Sequence, residues 1–139
     1  MTHEDYVSFE QAKALKELGF DWEVVKGYSH FPGEKIKSCN FQEENVNKIY
    51  SKWCFAAPTL DQAQKWLRNV KKTYLLIDYE KWFTKPFSLE IYKEVGEKII
   101  HKCYQNGFQT YEEAISAGID KALEILKQQN NEKVNRNSQ

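Results

Sequence analysis

Arginine is nearly absent from this chain. Only Arg68 and Arg136 occur among 20 basic residues, and 20 acidic residues bring the formal net charge to zero. Arginine is the side chain best suited to bidentate contacts with phosphate and guanine, and nucleic-acid-binding domains concentrate positive charge. The composition therefore argues against nucleic acid as a partner.

Long apolar runs and a disulfide framework are missing as well. No apolar stretch approaches the roughly 18 residues that span a bilayer. Residues 1–5 lack the basic and apolar regions of a signal peptide. The cysteines Cys39, Cys54 and Cys103 are odd in number and widely spaced, which is typical of reduced thiols. We therefore expect a cytoplasmic protein with no membrane segment.

What the chain does contain is one phrase in three copies, each a hydroxyl, an apolar residue, an acid, an acid or amide, and alanine. The copies begin at Ser8, Thr59 and Thr110, so each step is 51 residues. The pattern is a capping box, which marks the start of a helix. It predicts a helix over 9–18 that ends at Gly19, a second from Leu60, and a third that ends near Gln128. An internal duplication and a coincidence of helix-start signals both explain the spacing.

Alternating apolar residues and turn signals predict six strands between these helices. The predicted strands cover residues 21–30, 36–41, 48–56, 73–81, 87–93 and 98–104. Turns are expected at 31–34, at Val95-Gly96 and at Asn106-Gly107, and a helix over 88–103 is the alternative to the last hairpin. Gly118, inside the third helix, predicts a close approach of that helix to a neighbouring element.

The predicted order is α-βββ-α-βββ-α, an α+β fold with antiparallel sheet or sheets and three amphipathic helices packed on one face. With 139 residues, 41% of them hydrophobic, the chain can form a core without metals or disulfides. We expect one domain over residues 1–129. Residues 130–139 have a single apolar residue, Val134, and are expected to form a disordered polar tail.

Three stretches resemble a known group of proteins. They run from Val7 to Asp21, from Ala57 to Arg68 with the phrase Ala-Pro-Thr-Leu-x-x-Ala-x-x-Trp-Leu-Arg, and from Phe108 to Leu123 with Thr-Tyr-Glu-Glu-Ala. The chain is similar there to small uncharacterised proteins of prophages and mobile elements in gut Bacteroidetes. The resemblance covers about half the chain. It implies an α+β fold and a phage-associated origin in a bacterial host cell, and it supplies no activity, cofactor or catalytic residue.

Reactive side chains are few, and each has a structural explanation. His101 and Cys103 alternate on one predicted strand as a metal pair would, with Cys39 or Cys54 as conceivable further ligands, but zinc needs three or four ligands. Cys54 with His30 or His101 could form a nucleophile and base, although a small buried thiol is the commoner role. We predict no metal, no cofactor and no catalytic residue.

A pair of carboxylates and a pair of lysines also have ordinary explanations. Asp78 and Glu80 share a face of the fourth predicted strand, where acidic pairs commonly mark the solvent side. Lys71 and Lys72 follow the second helix, whose C-terminus favours positive charge.

Aromatic residues are the feature that points to function. Eight lie in predicted strands or beside them. Six of the eight, three of them tryptophans, form the candidate interaction surface: Trp22, Tyr28, Trp53, Tyr79, Trp82 and Tyr92. Phe83 and Tyr104 complete the eight. A large-residue core is the structural explanation for them, and a recognition surface is the functional one.

We therefore expect a non-catalytic, phage-related accessory protein that binds another protein or a second copy of itself. Single-stranded nucleic-acid binding through a sheet rich in lysine and aromatics is one alternative. An enzyme of unrecognised type is the other.

Overall fold

The computed structural model describes residues 5–137, with the side chains of residues 5–132. Over this part of the chain the fold is α+β, as predicted, with two three-stranded antiparallel sheets and four helices.

The chain divides into unit 1, Met1–Thr59, and unit 2, Leu60–Gln139. That residues 1–129 form one domain stays a prediction. Unit 1 contains α1 (Phe9–Glu17), β1 (Val24–Ser29), β2 (Lys37–Glu44), α2 (Val46–Ile49) and β3 (Cys54–Ala56), and unit 2 contains α3 (Leu60–Asn69), β4 (Thr73–Tyr79), β5 (Phe87–Val95), β6 (Lys98–Phe108) and α4 (Tyr111–Asn137).

Helix α1 has both of its predicted ends. The Gln11 backbone N–H donates to Ser8 Oγ (3.2 Å), and the Ser8 N–H donates to Gln11 Oε1 (2.8 Å), which completes the capping box. At the other end Gly19 has φ +93°, and the Phe20 N–H donates to the Leu15 carbonyl at 2.9 Å. This is Schellman geometry. Because Leu15 and Phe20 are both buried, the cap also fixes the helix to the core of unit 1.

The sheet of unit 1 has the order β2-β1-β3, and α1 packs against β1 and β3. Gly27 lies in the central strand and is buried. A Cβ atom there would stand 2.6 Å from the Phe41 ring and 2.7 Å from the Phe55 carbonyl oxygen. Glycine is therefore required by close packing, and the strand continues through it.

The strand predicted over residues 48–56 is wrong in its first half. Residues 46–49 form the short helix α2, and only Cys54–Ala56 are extended. The Asn47 side chain explains the difference, since its Nδ2 donates to the Phe20 carbonyl (2.9 Å) and its Oδ1 accepts from the Ala56 N–H (2.8 Å). The turn that follows α2 is held by Lys16, whose Nζ donates to the Cys54 carbonyl at 2.7 Å.

The sheet of unit 2 is the meander β4-β5-β6, and α3 and α4 pack against it. The predicted hairpin at Val95-Gly96 is confirmed, with Gly96 at φ +63°, and the alternative helix over 88–103 is excluded. Gly118 of α4 approaches the sheet as expected, because a Cβ atom there would stand 2.7 Å from Leu75 Cδ2 and 2.8 Å from Leu89 Cδ1. The face of the sheet that carries Leu75 and Leu89 is therefore the core face.

Helix α4 differs from its predicted length. Its start is as expected, since the Glu113 N–H donates to Thr110 Oγ1 (3.1 Å), although Glu113 Oε2 accepts from the Gln109 N–H (3.1 Å) and not from Thr110. The helix does not end near Gln128 but runs to Asn137. The expected disordered tail is thus helical over 130–137, and residues 138–139 lie outside the described residues. No glycine or proline follows Gly118, and Gln, Glu and Lys favour helix.

The two units do not share a topology. The first strand of unit 1, β1, is central in its sheet, whereas the second strand of unit 2, β5, is central in the other. Copies of one ancestral unit are expected to keep their strand order. The difference favours a shared helix-start signal, and not a duplication, as the origin of the 51-residue spacing.

Candidate functional site

Three of the six aromatic residues predicted as an interaction surface lie in unit 1, and all three are half-buried. The Tyr28 hydroxyl donates to the Val7 carbonyl at 2.6 Å. Burial raises the pKa of this phenol, which keeps it protonated as a donor. Trp22 packs its ring against Phe20, with centroids 6.3 Å apart, and Trp53 lies just before β3. Tyr28 and Trp22 therefore have evident packing roles.

The other three lie in unit 2 and divide between two faces. Tyr79 pairs with Phe87 across β4 and β5, and Tyr92 is five positions along β5 from Phe87. An odd separation along a strand places side chains on opposite faces. Trp82 follows β4 in the loop to β5 and is 80% exposed. The structure therefore brings Tyr79 and Trp82 to one end of unit 2 and places Tyr92 on the face opposite the core.

Tyr79 and Trp82 belong to a larger group of aromatic residues. The rings of Tyr79 and Phe87 lie 5.1 Å apart, and those of Phe87 and Tyr111 lie 6.4 Å apart. Phe87 also lines a cavity that it shares with Phe83 and Tyr104. We call this group the aromatic end: Tyr79, Trp82, Phe83, Phe87, Tyr104 and Tyr111. Five of its six members expose more than a third of their surface, which leaves much apolar area in contact with water.

The cavity has a volume of about 290 Å³ and lies between the β4–β5 loop and the end of β6. Its aromatic lining is Phe83, Phe87 and Tyr104, and its polar and charged lining includes Glu80, Thr84, Lys85, Ser88 and Asn106. Aromatic walls with a few polar groups are typical of binding pockets, and a volume near the lower limit of about 300 Å³ suits a small group.

Ser88 gives the cavity a specific polar feature. This residue is only 9% exposed and lies on the cavity wall. A hydroxyl in the wall can bond to a polar group that enters the cavity.

The charges of the loop are mixed. Glu80 and Lys85 line the cavity, and Lys81 places its Nζ 4.7 Å from the centroid of the Trp82 ring. Asp78 Oδ1, at the end of β4, accepts from the Tyr79 backbone N–H at 3.0 Å. Two acids thus stand near two lysines, and this end offers no concentration of positive charge for a phosphate backbone.

The remaining titratable group of note lies on the sheet face opposite the core. The Tyr92 hydroxyl donates to Glu90 Oε2 at 2.5 Å, and the His101 Nε2 lies 4.0 Å from the same oxygen. The hydrogen bond to Glu90 raises the pKa of the Tyr92 phenol, so the tyrosine stays a donor. Both Glu90 and His101 are open to water. The arrangement orients the carboxylate on the sheet face opposite the core.

His101 and Cys103 do not share a strand face, although their alternation in the sequence predicts that they do. Ile91 faces Cys103 while Tyr92 faces His101, so β6 advances two residues where β5 advances one. This bulge puts Cys103 on the core face, next to Ile91, and His101 on the opposite face. Among the described residues no group of three His, Cys, Asp or Glu side chains is placed to hold a metal ion.

Among the other reactive residues, the Ser51 hydroxyl donates to Cys54 Sγ at 3.8 Å, and His30 packs its ring edge-on to Phe9 with centroids 5.4 Å apart. Strand β4 ends at Tyr79, so Glu80 belongs to the loop and does not share a strand face with Asp78.

Sequence reasoning found part of the aromatic end and missed the rest. The sequence pattern places Phe87 in an ordinary strand and Tyr111 at a helix start, and it gives Ser88 no role. The signal that could have found them was the density of aromatic residues on both sides of the β4–β5 loop. That they meet depends on strand pairing and on the bulge at Gly107, where Phe87 faces Phe108 but Ser88 faces Asn106. The turn predicted at Asn106-Gly107 is wrong, because both residues lie within β6.

Comparison with family models, with curated protein sequences and with solved structures finds no significant match. None of the helices in the described part of the chain is long and apolar enough to cross a membrane.

Proposed function

We propose that this protein is a non-catalytic interaction module that binds another protein through the aromatic end of unit 2. The observation that carries the proposal is Trp82, a tryptophan 80% exposed in a loop beside a cavity with aromatic walls. Tryptophan and tyrosine are enriched among the residues that dominate binding energy at protein interfaces. Where such a ring lies at the centre of an interface, its burial contributes a few kcal/mol to the free energy of binding.

The charge of the site supports a protein partner over nucleic acid. Glu80 and Lys85 line the cavity and Lys81 lies against the Trp82 ring, so both signs of charge are present at the loop. Phosphate-binding surfaces need an excess of cations, because affinity comes largely from neutralised phosphates. A mixed rim around an aromatic centre is instead the usual anatomy of a protein interface.

The setting we propose is the cytoplasm of a bacterial host, with the protein as a phage-related accessory factor. The support is the resemblance of its three helix starts to proteins of prophages and mobile elements.

A photo-crosslinking experiment tests the proposal. A benzophenone derivative of phenylalanine replaces Tyr79, which is 58% exposed within the aromatic end, and in a control chain it replaces the exposed Glu124 of α4. After irradiation of cells that make each protein, we expect a discrete protein adduct from position 79 and none from position 124.

The second arm of the experiment adds Trp82→Ala to the chain that carries the crosslinker at position 79. Because removal of a central tryptophan costs about 2 kcal/mol or more, it should weaken binding roughly 30-fold and abolish the adduct. Identical products from positions 79 and 124, or an adduct that survives Trp82→Ala, would refute the proposal.

A further inference from the structure

The end of β6 carries an asparagine followed by a glycine, a pair whose chemistry is separate from the proposed interaction. Asn106 and Gly107 both lie within the strand, and both are exposed. Because glycine has no side chain, the backbone nitrogen of Gly107 is less shielded than that of any other residue type. This nitrogen can attack the side-chain amide of Asn106 whenever the two groups meet.

The strand is irregular at this pair. Phe87 of β5 faces Phe108 of β6, whereas the next residue of β5 faces Asn106, so Gly107 is an extra residue without a partner on β5. Such a bulge disrupts the hydrogen-bond ladder locally. Gly107 has φ +91°, and a Cβ atom built on it would meet nothing within 4 Å. The backbone therefore departs from regular strand geometry here, and the space beside Gly107 is open.

The position of the pair in the sheet makes local opening easy. In the order β4-β5-β6, β6 is the edge strand, and it ends at Phe108, directly after the pair. The ends of edge strands open at a small part of the free energy of global unfolding. A regular strand holds the asparagine amide away from the next backbone nitrogen, and opening allows them to approach to about 3–3.5 Å, from which attack proceeds.

We propose that Asn106 is a site of spontaneous deamidation in the folded protein. The Gly107 nitrogen forms a bond to Asn106 Cγ and closes a succinimide ring. The bond from Cγ to the side-chain nitrogen breaks, and that nitrogen leaves as ammonia with the proton that Gly107 loses. Water then opens the ring at either carbonyl carbon, which yields aspartate or isoaspartate. The sum is one amide and one water converted to one carboxyl group and one ammonia, without oxidant or reductant.

The product changes the cavity of the aromatic end. Asn106 belongs to the cavity lining, in which Glu80 and Lys85 are the charged residues and balance each other. A carboxylate at position 106 leaves the lining with one excess negative charge. The isoaspartate form also adds a methylene to a backbone that is already bulged. The reaction requires no partner, so this inference goes beyond the proposed function and does not depend on it.

Ageing of the full chain tests the proposal. The purified protein is kept at mildly alkaline pH, and peptide mass spectrometry follows the mass gain from amide to acid. Asn40 and Asn69 are internal controls, since both are exposed but precede Phe41 and Val70. Asn106 should convert at least about tenfold faster than either, because a bulky following residue hinders the geometry of attack. Similar rates at the three positions overturn the proposal.

The same measurement in urea tests the role of the fold. Unfolding removes the protection that a strand provides, so it gives the rate of the unrestrained sequence. Because the bulge and the strand end open readily, the folded chain should deamidate at Asn106 within about thirtyfold of the unfolded rate. A larger difference would show that β6 protects this residue, and the proposal would then be wrong.

The products identify the route. Succinimide opening gives isoaspartate as well as aspartate, whereas direct hydrolysis of the amide gives aspartate alone. Peptides of Asn106→Asp provide the aspartate standard. Asn106→Gln, whose side chain is one methylene longer and closes a ring less readily, should show about tenfold less conversion or lower at this position. Aspartate as the sole product, or equal conversion of Asn106→Gln, contradicts the proposed reaction.

Discussion

At the scale of single residues, a few side chains tie separate segments of unit 1 together. Lys16 donates to the carbonyl of Cys54 at 2.7 Å and lies 4.8 Å from the centroid of the Phe55 ring. Asn47 bridges two backbone segments in a similar way. Such contacts use the long reach or the double hydrogen-bonding capacity of one polar side chain, and they are invisible to a reading of local sequence pattern.

Tyr28 gives a testable case. Its hydroxyl donates to the Val7 carbonyl at 2.6 Å, and Val7 is fully buried. We expect Tyr28→Phe to lower the free energy of unfolding by about 1 kcal/mol at neutral pH, because the carbonyl loses its side-chain donor while the ring stays in place. Urea denaturation followed by circular dichroism measures the change.

The same substitution should change the alkaline pH dependence. Burial raises the folded pKa of Tyr28 above its ordinary value of 10.0, so above that pH the unfolded chain releases the proton while the folded chain keeps it. The contribution of Tyr28 is therefore complete below pH 10 and declines above it. The stability difference between wild type and Tyr28→Phe should shrink as pH rises past 10. Tyr104→Phe, at an exposed ring, is the control, and a difference that grows with pH would contradict this account.

At the scale of elements, α4 depends on a glycine for its approach to the sheet. Gly118→Ala gains about 1 kcal/mol of helix propensity, but its Cβ would stand 2.7 Å from Leu75 Cδ2 and 2.8 Å from Leu89 Cδ1. Both leucines are buried, so the core cannot yield easily, and overpacking of this kind costs about 1–3 kcal/mol. We expect a net loss of about 1 kcal/mol in the free energy of unfolding.

Three further variants isolate the cause. Asn130→Ala, at an exposed position of the same helix, gains propensity without a clash and should stabilise the protein by a few tenths of a kcal/mol. Combined with Leu75→Val, Gly118→Ala should cost less than the sum of the separate effects, because the smaller side chain leaves room. Thermal denaturation of the wild type, Leu75→Val, Gly118→Ala and the double variant measures this coupling. Strictly additive effects would show that Leu75 is not the obstacle.

Elements whose signals are local were predictable, and those set by partners were not. The capping box at Ser8, the terminator at Gly19 and the hairpin at Gly96 each depend on a few adjacent residues. Helix α2 and the bulges of β6 depend on the distant bonds of Asn47 and on pairing with β5. The prediction that His101 and Cys103 share a strand face is wrong for this reason, since one extra residue in a strand reverses the faces beyond it.

At the scale of the whole molecule, the aromatic residues were recognised one by one, but their grouping required the fold. Composition pointed to an aromatic surface, and Tyr79 and Trp82 were in the predicted set. The cavity joins a loop, β5 and the end of β6, whose residues are up to 27 positions apart, from Glu80 to Gly107. Only the strand register of the meander determines which of them meet, and no composition argument contains that information.

The division into two units leads to a prediction about autonomous folding. Unit 2 has its own meander, two helices that cover one face, and a core that includes Trp66, Leu89 and Ile119. A fragment of residues 59–139, which retains the Thr59 hydroxyl ahead of α3, should therefore fold and unfold in one cooperative transition. Because the denaturant m-value scales with the surface exposed on unfolding, it should be about three-fifths of the value for the full chain if that chain also unfolds in one step. The fragment should keep the near-ultraviolet circular dichroism of ordered aromatic rings. A fragment with no cooperative transition and no such signal would show that the core of unit 2 is not sufficient on its own.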